Sequence, residues 1–503
     1  MNYVVTTTLP PTFGGRTKAL LKRTKLLVEK ENYKFTLVTT NYNNDYEDIY
    51  QHYLDSNFVP KSVDFINIYD FLKSDQKKKK YPIINHKTEM QGYTVHKVEG
   101  KKRTYRYFKD GVYEMYKRFN HPNKNLKFID YMSPNSSKRI KREEFDQEGY
   151  LHRKIYYKQN TLNKTQEIMF KKDGNAYVNR LFKGDPNNTV TSVVYFDKDE
   201  TYFFDSESDF YKFCFEKIIQ PNSQVISDAR NLDQALIEMN TDNVKKIAVQ
   251  HSTFHKLEDT SEVRGAYRYL LDYSKHIDYM VFLTEGQKEN WEKICDYTAN
   301  TVTIPHSIKL NETIDKKTNR DPNKFVIVSR LHPGKQIDHA IRAFAKASSS
   351  NPNIYLEIYG DGEEERKLNK LIKELNMENR IELKGRTNEP DLVFQSAHCS
   401  LFTSGFEGLG LTILESLNNG CPVISYDIKY GPSEMIVDDE SGYLVEPNNI
   451  EDLTSHILKT AKRNDFNPRV PKKYSEERFI NNWSELLGRP NNNFFIDKLK
   501  KIL

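Results

Sequence analysis

Two glutamates eight residues apart, Glu407 and Glu415, bracket a glycine-rich turn in the stretch LFTSGFEGLGLTILESLNNG (401–420). An apolar run ends at Thr403, and Leu411 to Leu417 carries helical spacing, so the turn leads from a buried strand into a helix. Gly408, Leu409, Gly410, Leu411 and Thr412 would present free backbone N–H groups at the helix N-terminus, a place that favours anions and phosphate above all. A carboxylate on each side suits a ligand whose hydroxyls flank a diphosphate, such as a nucleotide sugar. An ordinary strand–turn–helix unit with surface glutamates satisfies the same spacing equally well. Upstream, SRLHPGKQIDHAIRAF (329–344) places Arg330 and Lys335 five residues apart on the loop between a strand and the next helix. Two fixed cations at a strand end suit a departing diphosphate. His251 follows the apolar run Lys246 to Gln250 and so stands at the carboxyl end of a strand, the end that opens on the ligand crevice in parallel sheets. A capping or satisfied surface histidine accounts for it equally, and His255 is the weaker candidate.

These residues need strands and helices in alternation to hold them. Tyr3 to Thr7 reads as a strand, Pro10-Pro11 and Gly14-Gly15 break it, Arg16 to Lys30 has leucines at helical spacing, and Phe35 to Thr40 is the next strand. That order opens a βαβ unit, in which Gly14 and Gly15 either let backbone approach a ligand or simply make a turn. The pattern resumes near 207, with strands at Gln224 to Ser227, Lys246 to Gln250, Tyr279 to Leu283 and Thr301 to Pro305. Pro305 to Pro322 reads as a linker. A second βαβ series begins at Phe325, with strands at Ile354 to Tyr359, Ile381 to Lys384 and Cys421 to Tyr426. The tail, Tyr474 to Leu503, is amphipathic and helical in pattern.

Residues 73 to 205 differ. Lys77 to Lys80 marks a solvated edge. Short runs such as YTVHKV, RTYRYF, KIYYKQ and SVVYFD then alternate apolar and charged residues. Turn signals at Lys109-Asp110-Gly111, Asp173-Gly174-Asn175 and Gly184-Asp185-Pro186 separate them, which predicts antiparallel hairpins with one wet face. Asp197-Lys198-Asp199 has the spacing of a metal-binding acidic pair, but its place between two such runs predicts a solvated turn.

At 503 residues the chain exceeds one core, so two or three domains are expected. No apolar run approaches the roughly 18 residues of a membrane span, and MNYVVTTTLPPTFGG lacks the features of a signal peptide. Cys214, Cys295, Cys399 and Cys421 are scattered without metal-ligand spacing, as expected for reduced thiols of a cytoplasmic protein, and no metal is expected. Residues 71 to 190 hold 28 Lys and Arg against 13 Asp and Glu; that excess of 15 leaves the rest at −9 within a total of +6. A basic segment suits a polyanionic partner or is simply a solvated surface, and no nucleic-acid-binding motif accompanies it.

The Glu–seven residues–Glu spacing, followed by Tyr426-Asp427-Ile428-Lys429-Tyr430-Gly431-Pro432, resembles the retaining glycosyltransferases of the GT-B fold (glycosyltransferase group 1, family 4). The resemblance is to the bacterial subgroup that modifies wall teichoic acids or Ser-rich and Ser-Asp-repeat surface adhesins. It implies an α/β protein with two Rossmann-like domains, 1–72 with 206–310 and 311–475, a β-rich insertion at 73–205, and a tail helix at 476–503 crossing back to the first domain. In the family's pattern Glu415 holds the ribose, Glu407 and His251 face the donor sugar, and Arg330, Lys335 and the amides at 408–412 take the diphosphate. Gly14 and Gly15 lie across the cleft from the diphosphate. Gly385-Arg386-Thr387 lines the base pocket, where relatives often carry an aromatic and Arg386 would stack as a guanidinium plane. The implied activity is metal-independent transfer of N-acetylglucosamine, or glucose, from a UDP-sugar co-substrate with no bound cofactor. Its expected acceptor is a polyanion, a Ser-rich or Ser-Asp-repeat protein first and a teichoic acid second. The alternative from another class is a non-catalytic acceptor-binding subunit, against which the complete set Arg330, Lys335, Glu407 and Glu415 speaks. The resemblance further implies that the insertion serves acceptor recognition or forms a homo-oligomer, and the protein is expected in the cytoplasm, free or at the inner face of the membrane, without a span.

Overall fold

The computed structural model describes residues 1–73, 81–120, 125–256, 262–295, 299–311 and 320–490. Lys77 to Lys80, residues 312–319 of the expected linker and residues 491–503 of the tail lie outside these.

Three sheets organise the chain. The first has seven parallel strands in the spatial order Asn300–Thr303, Tyr279–Phe282, Lys245–Val249, Gln224–Ser227, Asn2–Thr6, Phe35–Thr39 and Asp64–Asn67. Strand order reverses between Asn2–Thr6 and Gln224–Ser227, which pair in parallel. The second has six parallel strands in the order Ile381–Gly385, Tyr355–Tyr359, Asp321–Val328, Ala397–Phe402, Val423–Tyr426 and Gly442–Val445. Its reversal falls between Asp321–Val328 and Ala397–Phe402. In open α/β sheets ligands bind outside the carboxyl ends of strands at such a reversal. The Asp321–Val328 strand starts four residues before the expected Phe325 and takes Pro322 out of the linker.

The first helix, Gly15–Glu31, follows from its leucines: Leu20, Leu21, Leu26 and Leu27 are buried on one face. It stops at Asn32, whose left-handed backbone (φ 60°) lets its amide cap Leu27 and Val28. The tail helix Glu476–Leu487 lays Phe479, Ile480, Trp483 and Leu487 into the same core as Val4, Leu20, Leu27 and Phe35. The last described helix therefore packs on the first sheet.

Between the third strand and residue 206 stands a ten-stranded antiparallel meander, from Thr94–Lys97 to Thr201–Phe204, each strand paired with its sequence neighbours. The predicted turns make its hairpins: Asp110 and Gly111 both have positive φ, 49° and 81°, as a two-residue hairpin loop requires. Two features depart from the expected hairpins with a wet face. Met169, Tyr177, Val178, Val193 and Tyr195 of the last strands share a core with Tyr3, Val38 and Phe210, so part of this sheet is packed into the first domain. Some of the cations are also paired across strands. Asp130 faces Arg142, Glu144 faces Arg153 and Glu167 faces Arg180 in register, and each pair is closed by a salt bridge. Opposite charges on facing positions stabilise antiparallel sheets, and these three arginines are neutralised within the sheet.

Glu167 is the centre of that pairing. It is 1% exposed and accepts from Arg180 at 3.0 Å and Lys164 at 2.5 Å. Burial works against the carboxylate, but Arg180, Arg153 and Lys164 outweigh it and hold it below the ordinary value of 4.5. Glu167→Gln should lower stability at pH 7 by about 3–5 kcal/mol in urea unfolding, because buried cations lose their counter-charge. A depressed carboxyl contributes fully above its unfolded value and loses that contribution as pH falls through the folded one, so the gap between variant and wild type should close below about pH 4.

Candidate functional site

The Gly-rich turn leaves the Ala397–Phe402 strand and enters the Leu411–Asn418 helix through Gly410, whose φ of 90° only glycine adopts without strain. Among the described residues, no protein acceptor takes the amides of Gly408, Leu409, Gly410, Leu411 or Thr412. Two close backbone approaches shape this turn. A Cβ on Gly408 would stand 2.3 Å from the His251 carbonyl oxygen, and one on Gly431 would stand 1.9 Å from that of Leu409. Side chains larger than hydrogen are excluded at both, so the turn is pressed between the first domain and the Tyr430-Gly431 segment.

The strand-end cations arrive by the adjacent strand. The turn Pro333–Lys335 is stitched to the glycine-rich turn, with Gly405 N–H donating to Gly334 at 3.0 Å and the Thr403 hydroxyl to the Lys335 carbonyl at 3.0 Å. Lys335 Nζ forms an ion pair with Glu407, which also accepts from Ser404 at 2.9 Å. Arg330 is exposed at the end of its strand, and no ion pair or hydrogen bond engages its guanidinium among the described residues. Arg386 is likewise exposed, on the turn after Ile381–Gly385, and the Thr387 hydroxyl accepts from the Glu389 amide at 3.0 Å. Among the described residues, no group of three or more His, Cys, Asp or Glu is placed to hold a metal ion.

Across the cleft stand the carboxyl ends of the first sheet. Gly14 caps the first helix and Gly15 begins it, both with open space where a Cβ would lie. Lys18, on the exposed side of that helix, reaches across to Glu415 at 2.7 Å. With Lys18 57% exposed, this pair is worth about 1 kcal/mol or less and yields readily to a ligand. His251 is held differently. Its Nε2 lies 2.5 Å from the Asp228 carboxylate and its Nδ1 3.4 Å from His306 Nε2, so the ring faces a buried cluster while its carbonyl meets Gly408. Burial lowers the His251 pKa, with Asp228 opposing, and pushes His306 well below its ordinary value. Burial alone would raise the Asp228 carboxyl, but Arg23 and His251 hold it below the usual carboxylate range. His255 forms a bridge with Val263 and packs its ring on Phe254.

Glu407, Lys335, Arg330 and the amides at 408–412 thus gather at the reversal of the second sheet, with Glu415 and His251 on the cleft walls. The sequence analysis missed Lys18, Arg23, Asp228 and His306. Asp228 was within reach, since it follows the Gln224–Ser227 strand as His251 follows its neighbour. Arg23 carries no signal inside a leucine-spaced helix.

A second concavity of about 610 Å³ opens where the insertion meets the first sheet's carboxyl ends. Pro11, Asn43, Lys127, Arg142, His152 and Arg153 are among its lining. Among the described residues no helix is long and apolar enough to cross a membrane, and all four cysteines are buried and outside any disulfide.

Residues 311–478 match the family "Glycosyl transferases group 1". Along nearly its whole length the chain is similar to the poly(glycerol-phosphate) alpha-glucosyltransferase of Bacillus subtilis, 26% identical over 97% of this chain and 75% of that protein. It is also 26% identical to the GtfA subunit of a UDP-N-acetylglucosamine–peptide N-acetylglucosaminyltransferase from Streptococcus agalactiae, over 73% of this chain and 77% of that one. The structure superposes on a TarM variant from S. aureus, crystallised with fondaparinux, alpha-GlcNAc-glycerol and UDP, with a TM-score of 0.82 at 23% identity, covering 97% and 99% of the two chains. The chain has the GT-B fold, and its residues 311–478 are a glycosyl transferases group 1 domain.

Proposed function

We propose that this protein transfers a hexose, N-acetylglucosamine or glucose, from a UDP-sugar to a polyol-phosphate polymer, with retention at the anomeric carbon and without a metal ion. The observation that carries the transferase reading is the meeting of Arg330, Lys335, Glu407 and five unclaimed amides at a sheet reversal, opposite His251. The donor diphosphate takes those amides and the two cations, displacing Lys335 from Glu407. Glu415 exchanges Lys18 for the ribose hydroxyls, Arg386 lies along the base, and Glu407 turns to the sugar. Preorganised donors aimed at developing charge are commonly the largest catalytic contribution. As the bond from the anomeric carbon to the phosphate oxygen breaks, the acceptor oxygen attacks from the same face and its proton passes to the departing phosphate. His251 forms the wall beside the sugar.

The acceptor reading departs from the order the sequence suggested. The likeness to a poly(glycerol-phosphate) enzyme runs through the insertion and covers 97% of the chain, against 73% for the peptide-modifying GtfA. The cavity between the insertion and the first domain bears Lys127, which no carboxylate pairs among the described residues, while its Arg142 and Arg153 already face Asp130 and Glu144; Lys127 is the cation there left for an anionic polymer. A Ser-rich or Ser-Asp-repeat protein remains the second reading, supported by the GtfA likeness.

Incubation with radiolabelled UDP-N-acetylglucosamine or UDP-glucose should label poly(glycerol phosphate) or poly(ribitol phosphate). Label on a Ser-Asp-repeat peptide alone would reverse the acceptor assignment, and intact donor with every acceptor would remove the transferase reading. Arg330→Ala and Lys335→Ala should each cost about 100-fold in turnover; near-normal turnover in both would overturn the diphosphate assignment. EDTA should leave transfer unchanged, and activity lost to EDTA and restored by manganese would contradict the metal-independent route. Lys127→Glu should raise the acceptor KM and flatten its salt dependence while donor hydrolysis holds steady, since an exposed contact is screened as the Debye length falls from about 10 Å at 0.1 M to about 3 Å at 1 M.

A further inference from the structure

Behind His251 lies a buried charge pair that the transfer step leaves unused. Asp228 is fully buried and accepts from both ends of the Arg23 guanidinium, Nη1 to Oδ1 at 3.1 Å and Nη2 to Oδ2 at 2.5 Å. Oδ1 also meets His251 Nε2 at 2.5 Å. The fork engages both oxygens, so the carboxylate cannot rotate away from the histidine. Arg23 is fixed in turn by Trp483 of the tail helix, whose ring lies 4.8 Å from its central carbon.

We infer that Asp228 is a positioning residue for sugar transfer, fixing the ring and tautomer of His251 against the glycine-rich turn. The inference rests on the reading of His251 as the wall of the donor-sugar site. An ionised carboxylate only accepts, so Nε2 of His251 carries the proton and Nδ1 presents its lone pair. His306 Nε2, 3.4 Å away, is then the donor, and the three groups form a chain with a single direction. Burial lowers the pKa of both rings, which favours the neutral forms that this direction needs. The His251 carbonyl lies where a Cβ on Gly408 would collide, so rotation at His251 moves the wall against which the phosphate-binding turn is seated. A buried ion pair serving stability alone is replaceable by apolar residues. The third bond, to a strand-end histidine in contact with the other domain, gives this pair a further task.

The test uses the full chain and four variants: Asp228→Asn, Arg23→Met with Asp228→Asn, His251→Gln, and Asp228→Asn with His251→Gln. The Arg23→Met, Asp228→Asn protein removes both charges, so it stays folded where Asp228→Asn alone leaves Arg23 uncompensated. Donor turnover should fall about tenfold or more in both proteins that lack only the Asp228 carboxylate or the Arg23–Asp228 pair, while donor KM stays within about threefold. Long-range ¹H–¹⁵N spectra should show His251 as a single Nε2–H tautomer in wild type and a mixture in these two. Adding His251→Gln to Asp228→Asn should cost nothing beyond His251→Gln alone. Wild-type kcat in the Arg23→Met, Asp228→Asn protein, or effects of Asp228→Asn and His251→Gln that multiply, would overturn the assignment of Asp228. Wild-type kcat in His251→Gln would remove the His251 reading itself, and the inference with it, leaving the diphosphate site untouched.

Discussion

The glycine-rich turn is held in shape by another chain segment pressed against it at van der Waals distance. At Gly408 the missing side chain is replaced by the His251 carbonyl of the other domain, and at Gly431 by the carbonyl of Leu409. These approaches fix the turn from both sides, and its amides are left with no protein acceptor among the described residues. The rest of the architecture serves that contact. Each parallel sheet reverses its strand order once, and the tail helix packs into the core of the first sheet.

Two kinds of charge pairing cross or border the cleft, and their magnitudes assign them different roles. Lys18–Glu415 is largely solvated, worth about 1 kcal/mol or less, and can be exchanged for ligand contacts at little cost. Arg23–Asp228 is 3% and 0% exposed, and removing one partner costs about 3–5 kcal/mol. The first suits a gatepost and the second a foundation. Lys335–Glu407 lies between them, with 22% and 18% exposure, in the place proposed for the reacting sugar phosphate.

What the sequence disclosed was whatever is encoded locally. Leucines at helical spacing announced the first helix, Asp110-Gly111 announced a hairpin, and Arg330, Lys335, Glu407 and Glu415 marked a candidate site by their spacing along the two segments that follow strand ends. What it withheld depends on register and tertiary approach. The charge excess of the insertion gave no hint that Asp130, Glu144 and Glu167 would fall opposite Arg142, Arg153 and Arg180, because a strand's pairing partners are set by turn geometry many residues away. Arg23 reads as a solvated helix residue until the tail helix and Asp228 enclose it. His251 was legible as a strand-end histidine, but not that its ring turns inward to Asp228 and His306 while its backbone meets the other domain.

The central claim is that a nucleotide diphosphate seats on the turn between Glu407 and Glu415. A crystal structure with an unhydrolysable UDP-sugar tests it most directly. The account predicts phosphate oxygens within hydrogen-bond distance of amides at 408–412 and of Arg330 and Lys335, ribose hydroxyls on Glu415, and Lys18 released from it. A nucleotide bound elsewhere, with Lys18–Glu415 and Lys335–Glu407 both intact, would contradict it.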